Sequence, residues 1–250
     1  MKLSLLRETL AARRDGRSAA LATHLESGRQ ALLVDGRWSG DLQLDEAARA
    51  RVDELLRDDK SATIDTGEGR VFVEIHNPPL RCFIVGAVHI AQPLASMAAL
   101  AGYAVTVVDP RSAFATDARF PGVSLSTEWP DEAFDRLKLD RRSAVVTLTH
   151  DPKIDDPALI SALRSPAFYI GALGSKRTHA GRCGRLREAG FAPEDIARIH
   201  GPVGLDIGAV SPAEIAVSIL AEITAVLRGA DAGGAKDTGG AKNTGGEKAA

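Results

Sequence analysis

The residues best suited to binding an anion lie in the stretch GALGSKR, which runs from residue 171 to residue 177. A serine after glycine is a typical helix N-cap, and two cations then follow in the first helical turn. The free amides of a helix start, its dipole and two positive side chains together favour phosphate. The alternative is an ordinary capped helix with solvated charges. We expect a phosphate or a phosphate-bearing cofactor to bind here, through Gly171, Gly174, Ser175, Lys176 and Arg177.

A second candidate site surrounds Gly86, in a stretch that reads RCFIVGAVHIAQPLASMAALAGYAVTVVD. The apolar run RCFIV predicts a buried strand, and helical spacing predicts a helix from His89 to Leu100. The run AVTVVD predicts a second strand that ends in Asp109. A strand, a glycine turn, a helix and a strand with a terminal acid are the layout of a dinucleotide-binding βαβ unit. We therefore expect Gly86, Ala87 and His89 to contact a ligand.

This turn departs from the usual nucleotide-binding pattern at Val88. The second glycine of that pattern lets the backbone approach a pyrophosphate, whereas Val88 places a branched side chain there. We therefore expect a Rossmann-type turn that does not bind NAD(P) in the usual way. Asp109 could accept hydrogen bonds from ribose hydroxyls or a ring N–H, or it could pair with Arg111.

A third candidate loop, Thr149-His150-Asp151, follows the apolar run from residue 144 to residue 148. A histidine at a strand end suits ligand binding or proton transfer near neutral pH. The alternative is that Asp151-Pro152 starts a turn and that His150 is a solvated neighbour. Strands that alternate with helices are parallel and deliver their carboxyl ends to one edge. We therefore expect the three loops to meet.

Element patterns predict an α/β protein with two domains and a tail. Residues 1–78 read as a small N-terminal α/β domain with two helices and three to five short strands, closed by Asn77-Pro78-Pro79. Residues 79–228 read as a Rossmann-like parallel sheet, with helices predicted at 89–100, 155–164 and 175–190, and a loop over 110–130. Ser211, Pro212 and Glu214 predict a capping box for a last helix. The GGAKDT-like repeats over 229–250 predict a disordered tail.

Composition narrows the class of partner. The 250 residues carry a formal net charge of −2, which gives no electrostatic reason to bind nucleic acid or a membrane surface. The opening residues lack an apolar run long enough for a signal peptide or a membrane span, so we expect a cytoplasmic protein. The sequence contains no HExxH, CxxC or GxSxG motif, so we expect neither a metal site nor a catalytic set.

Several motifs, in order, resemble the Rossmann domain of the xanthine dehydrogenase accessory protein family, XdhC/CoxI, over residues 70–228. They are FIVGAVHIAQPLA, GYAVTVVDPRSAFA with RFPG, the THD after a strand, FYIGALGSKRT and GPVGLDIGAVSPAEIAVSILAEI. The last two are the most specific. The resemblance adds Gly204, in the GPVGLD motif, to the expected cofactor-binding residues.

The resemblance implies a cytoplasmic accessory protein that binds the molybdenum cofactor, molybdopterin, and protects it during sulfuration. It further implies delivery to a molybdenum hydroxylase such as xanthine dehydrogenase, with a cysteine desulfurase as a second partner and no turnover of its own. We also expect a homo-oligomer. The N-terminal region lacks the GGC-x-E cysteine motif of many members, which leaves any thiol role there to a paralogous accessory protein.

Two other classes of function stay open from the sequence. The βαβ unit with Asp109 supports an NAD(P)-dependent oxidoreductase, but Val88 argues against it. The same valine is compatible with an interaction module that keeps the fold without a ligand.

Overall fold

Two sheets organise the chain in a computed structural model that describes residues 2–230. The chain divides into two units, Met1–Pro79 and Leu80–Ala250, each built on one of these sheets. The α/β class predicted from the sequence is confirmed. The predicted tail lies outside the described residues from position 231 onwards.

The first unit is a five-stranded antiparallel sheet with strand order β3-β2-β1-β5-β4. Its elements are α1 (Leu3–Arg14), β1 (Ala19–His24), β2 (Gln30–Val34), β3 (Arg37–Gly40), α2 (Glu46–Asp58), β4 (Ala62–Thr66) and β5 (Gly69–His76). Side chains alternate between the two faces of a strand. Leu21 and Leu32 accordingly pack with α1, whereas Ala20 and Leu33 pack with α2.

The second unit is a six-stranded, all-parallel sheet with strand order β11-β10-β9-β6-β7-β8. Its elements are β6 (Arg81–Val85), α3 (Ala91–Leu100), β7 (Ala104–Val108), β8 (Ser124–Ser126), α4 (Pro130–Leu137), β9 (Ser143–Thr147), α5 (Pro152–Leu163), β10 (Tyr169–Ala172), α6 (Lys176–Glu188), α7 (Pro193–Ile196), β11 (Ile199–His200) and α8 (Pro212–Leu227). This strand order is that of a doubly wound Rossmann sheet, with its switch point between β6 and β9.

Both faces of the parallel sheet are covered. Helices α3 and α8 pack on one face, over Ile84, Val107 and Val146. Helices α4, α5 and α6 pack on the other, over Phe83 and Val145. A strand buried on both faces needs apolar residues at every position, and this explains continuous runs such as RCFIV.

Several predicted elements differ from the structure, and α6 is slightly shorter than predicted, at Lys176–Glu188 against the predicted 175–190. Helix α3 begins at Ala91 rather than at His89, because the amide of Ala91 first closes a turn onto the carbonyl of Val88. Helix α5 begins three residues earlier than predicted, at Pro152, where the side chain of Asp151 accepts from the amide of Lys153. The predicted loop over 110–130 contains the short strand β8, and α4 follows it without having been predicted.

No helix among residues 2–230 combines the length and apolar character needed to cross a membrane.

The capping box of α8 provides a test of the local structure. Ser211 accepts from the amide of Glu214 at 3.3 Å, and Glu214 accepts from the amide of Ser211 at 2.8 Å. Ser211→Ala should lower the free energy of unfolding by about 1 kcal/mol, because it leaves a first-turn amide without its acceptor. The measurement is urea unfolding followed by circular dichroism.

Thr224→Ala, at an exposed position of the same helix, is the matched control. We expect it to change the free energy of unfolding by no more than about 0.5 kcal/mol. Equal losses for the two variants would show that the box does not stabilise α8.

Candidate functional site

Gly86 forms the turn after β6 and contacts the loop after β9. Its φ angle is +103°, a region that favours glycine, and a Cβ atom there would lie 2.5 Å from Cγ2 of Thr149. Its amide donates to the carbonyl of Val108 at 2.8 Å. Both conformation and space therefore require glycine, and two of the predicted site loops touch at the switch point of the sheet.

Asp109 is fully buried and serves as an internal acceptor. Its Oδ1 accepts from the amide and Nε of Arg111, and its Oδ2 accepts from the amide of Ala87 and Nη2 of Arg111, all at 2.8–3.0 Å. Burial opposes ionisation, but these donors outweigh it and lower the pKa of Asp109. Of the two alternatives from the sequence, pairing with Arg111 is the one observed.

Asp155 in α5 is an acceptor that the sequence analysis did not identify. Its carboxylate is 2% exposed and accepts from the hydroxyl of Thr149 at 2.7 Å and from the amides of Thr149 and His150 at 3.3 and 3.1 Å. Burial raises its pKa, while these donors and the charge of Arg182 oppose the shift. Asp155 thus holds the loop after β9 in a conformation that leaves His150 exposed, at a φ of +62°.

The loop after β10 enters α6 as predicted from the sequence. The amide of Leu173 donates to the carbonyl of Thr147 at 2.9 Å, so this loop runs beside the end of β9. Ser175 is the N-cap and accepts from the amide of Thr178 at 3.1 Å. The other first-turn amides have no intrahelical acceptor. Lys176 and Arg177 are exposed in this turn, so two cationic side chains lie at the positive end of the helix dipole. Binding of an anion here stays a prediction.

Arg182, one turn and a half into α6, is buried beneath this loop. It is 2% exposed, and its Nη2 donates to the carbonyl of Leu173 at 2.8 Å. Its Nε has no hydrogen-bond partner within the described part of the chain. Burial lowers the pKa of Arg182, and the charges of Asp155 and Asp156 act against that shift. The guanidinium therefore places a positive charge beneath the edge, in the field of Asp155.

A cavity of about 860 Å³ opens beside the start of α6. This size lies in the range of small-molecule and cofactor sites. Lys176 and Gly204, both predicted from the sequence, line it, whereas His150, Arg177 and Asp109 do not. Its walls come from the ends of β10 and β11, the loop before α8 and α8 itself: Leu173, Lys176, His179, residues 200–209, Ile215, Ser218 and Glu222.

A buried polar network forms one side of the cavity, and it was also missed from the sequence. Glu222 in α8 is 8% exposed and accepts at Oε2 from the hydroxyl of Tyr169 at 2.6 Å and from the amide of Gly204 at 2.8 Å. Its Oε1 lies 3.4 Å from Nδ1 of His200, whose ring stacks on Tyr169. Burial opposes ionisation of Glu222, but these donors lower its pKa, so it is charged at neutral pH.

Two predicted glycines act through close packing. A Cβ at Gly171 would meet Cγ2 of Val203 at 2.5 Å, and a Cβ at Gly204 would collide with the hydroxyl of Ser218. Gly204 also has a φ of +93°. These glycines let the loop before α8 lie directly on β10 and α8, which shapes the cavity. Contact of Gly171 with a cofactor stays a prediction.

Comparison with known proteins identifies the family. Residues 82–223, more than half of the chain, match the XdhC Rossmann domain. The chain belongs to the XdhC family. The resemblance drawn from its motifs is therefore confirmed, and the matched region begins in β6 and ends in α8.

Three curated proteins are similar to this XdhC family member over about two thirds of its length. They are the uncharacterized protein YqeB of Escherichia coli K12 (35% identity over 67% of this chain and 31% of YqeB), a probable xanthine dehydrogenase subunit of Bacillus subtilis 168 (35%, 61% and 44%) and the molybdenum cofactor insertion chaperone PaoD of Escherichia coli K12 (34%, 60% and 41%). The chain spans less than half the length of each of these relatives.

A solved structure shares the fold over most of the chain. It is a crystal structure described as a xanthine dehydrogenase from Bacillus halodurans. The match has a TM-score of 0.69 and 26% identity, and it covers 90% of this chain and 67% of that one.

Gly86→Ala tests the contact between the first two loops. We expect it to lower the free energy of unfolding by about 3 kcal/mol, because a left-handed conformation and a clash with Thr149 add together. Gly122→Ala is the control, since Gly122 has a φ of +71° but open space around it, so only the conformational cost of about 1 kcal/mol applies. Urea unfolding measures both, and equal losses would show that the contact with Thr149 is not tight.

Asp109→Asn tests the internal role of that carboxylate through pH. This variant should lower the free energy of unfolding by about 2 kcal/mol at pH 7, because the amide group of Asn replaces a carboxylate oxygen that accepts from the amide of Ala87 or from Arg111. Because the pKa of Asp109 is lower in the folded state than in the unfolded state, the ionised carboxylate stabilises the folded protein at any pH above the unfolded pKa of about 3.9. This stabilisation is lost as the pH falls through the pKa of the folded state.

The stability difference between wild type and Asp109→Asn should therefore be constant between about pH 5 and pH 7 and narrow at lower pH. Asp117→Asn, at an exposed position, is the control and should show little difference at any pH. A stability difference between wild type and Asp109→Asn that stays unchanged down to the lowest pH at which the protein is folded would contradict the internal role of Asp109.

Proposed function

We propose that this XdhC family member binds the molybdenum cofactor as cargo and passes it to a molybdenum hydroxylase, without catalysing a reaction itself. Family membership supports this, together with the names of two relatives, a molybdenum cofactor insertion chaperone and a probable xanthine dehydrogenase subunit. The observation that carries the proposal is the cavity of about 860 Å³ beside α6, with Lys176 in its wall.

The chemistry of the cargo fits the residues at this edge. Molybdopterin carries a terminal phosphate, and the first turn of α6 offers free amides, a favourable dipole and the cations Lys176 and Arg177. The chain's own work is to hold and orient the cargo in a cavity with both apolar and polar walls. His150 and His89, which are exposed at the neighbouring loops, are proposed further contacts.

NAD(P) binding in the usual Rossmann manner finds no support in this geometry. The carboxylate of Asp109 would bind the ribose, but each of its oxygens already accepts two hydrogen bonds within the protein. Val88, at the position of the second glycine, packs against the core beside the turn. We therefore assign Ala87, Asp109 and Arg111 to stabilising the turn rather than to holding a nucleotide.

The partners belong to the same proposal. A molybdenum hydroxylase such as xanthine dehydrogenase would receive the cargo, and a cysteine desulfurase would act if the cofactor is sulfurated while bound. A paralogous accessory protein and self-association stay predictions, as does the cytoplasmic location.

The double variant Lys176→Ala/Arg177→Ala tests the phosphate contact. Losing two cations at a helix start should weaken molybdopterin binding about 10-fold to 100-fold, with little change in stability because both side chains are exposed. Equilibrium dialysis of the full chain against molybdopterin measures the affinity, and pterin fluorescence after oxidation detects the ligand.

Arg141→Ala/Arg187→Ala removes the same charge elsewhere. Arg141 precedes β9, at the opposite edge of the sheet, and Arg187 lies in the last turn of α6. This control should bind like the wild type. Equal weakening in both double variants would show a general effect of charge, and a wild-type chain without measurable affinity would refute the proposed function.

A further inference from the structure

We propose that the pterin ring of the cargo enters the cavity beside α6 and is recognised there by the carboxylate of Glu222. This inference rests on the proposed function, and it locates the ring separately from the phosphate. In this position the ring does not contact Asp109 or His150, because neither residue lines the cavity.

The acceptor capacity of Glu222 points to a ligand that donates hydrogen bonds. Its Oε2 is occupied by two short contacts, from Tyr169 and from the amide of Gly204. Its Oε1 has one long contact within the described residues, Nδ1 of His200 at 3.4 Å. A carboxylate oxygen accepts two or more hydrogen bonds, so Oε1 has room for another donor. Support of the loop at Gly204 needs only Oε2.

The charge of Glu222 determines which ligand edge fits. The donors around it keep the carboxylate ionised although it is almost fully buried. A buried ionised acceptor favours a polarised N–H donor, because charge-assisted hydrogen bonds are the stronger class. The aminopyrimidinone edge of a pterin presents an amino group and a ring N–H side by side, which is this kind of donor.

The remaining walls suit a flat ring joined to an anion. Leu173, Val203 and Ile215 supply apolar surface, and His200 adds an aromatic ring that Tyr169 holds by stacking. Lys176 belongs both to the cavity wall and to the first turn of α6. A ligand with its ring at Glu222 and its phosphate at α6 would therefore have one end at each polar part of the site.

Two variants test the ring position. Glu222→Gln removes the charge at nearly constant volume and should weaken binding of molybdopterin about 10-fold to 100-fold, the cost of losing a hydrogen bond to a charged group. Ala209→Trp adds bulk at a residue that lines the cavity and that takes no part in the hydrogen bonds of Glu222, and it should weaken binding at least as much. Val210→Trp is the matched control, because Val210 is 84% exposed and outside the cavity.

Neopterin, a pterin without phosphate, separates the ring contact from the anion contact. We expect the full chain to bind it more weakly than molybdopterin, with affinity lost in Glu222→Gln and Ala209→Trp but kept in Lys176→Ala/Arg177→Ala. Equilibrium dialysis with pterin fluorescence gives both affinities. Thermal unfolding midpoints show whether each variant is folded, and Ala209→Trp decides the outcome if Glu222→Gln is not.

The outcomes separate the two proposals. Wild-type affinity for molybdopterin in a folded Glu222→Gln or in Ala209→Trp would overturn the ring position while leaving the proposed function intact. A wild-type chain that binds neither compound would overturn both. Equal weakening by Ala209→Trp and Val210→Trp would show an effect of the tryptophan rather than of the cavity, and would also count against the ring position.

Discussion

The carboxyl edge of the parallel sheet depends on buried carboxylates that satisfy the turns after its strands. Such turns leave backbone amides without ladder partners, and a buried amide without an acceptor costs about 1–3 kcal/mol. Asp109 accepts the amide of Ala87 after β6, and Asp155 accepts the amides of Thr149 and His150 after β9. With these acceptors inside the protein, the loops can lie close together at the switch point.

A third buried carboxylate, that of Glu222, holds the loop after β11, but it differs from Asp109 in its remaining capacity to accept hydrogen bonds. Glu222 accepts the amide of Gly204 and so holds the loop that follows β11. Among residues 2–230, Asp109 has four hydrogen-bond donors and no exposed surface, whereas one oxygen of Glu222 has a single long contact and the residue borders a cavity. The difference between a structural carboxylate and a candidate ligand acceptor is thus the number of donors already bound.

Positively charged side chains lie at this edge of the sheet both on the surface and buried beneath it. Lys176 and Arg177 are exposed in the first turn of α6, and Arg182 lies buried behind the same loop. The buried guanidinium donates to the carbonyl of Leu173 and lies in the field of Asp155, so it links α5, α6 and the end of β10. An anion at the helix start would meet a potential built by the helix dipole and by all three cations.

The sequence by itself determined the long apolar strands of the parallel sheet, the βαβ unit, the caps at Ser175 and Ser211, and the family, because these follow from periodicity and from motifs local in the chain. The short strands β8 and β11 were missed. It also located Lys176 and Gly204, which lie at a helix start and at a glycine turn. Only the tertiary structure decided that Asp109 is satisfied internally, that Asp155 holds the loop after β9, and that Glu222 borders a cavity. Each depends on contacts between segments distant in the chain, such as that of Tyr169 with Glu222. No local sequence pattern specifies which buried carboxylate has all its acceptor positions occupied by donors within the protein.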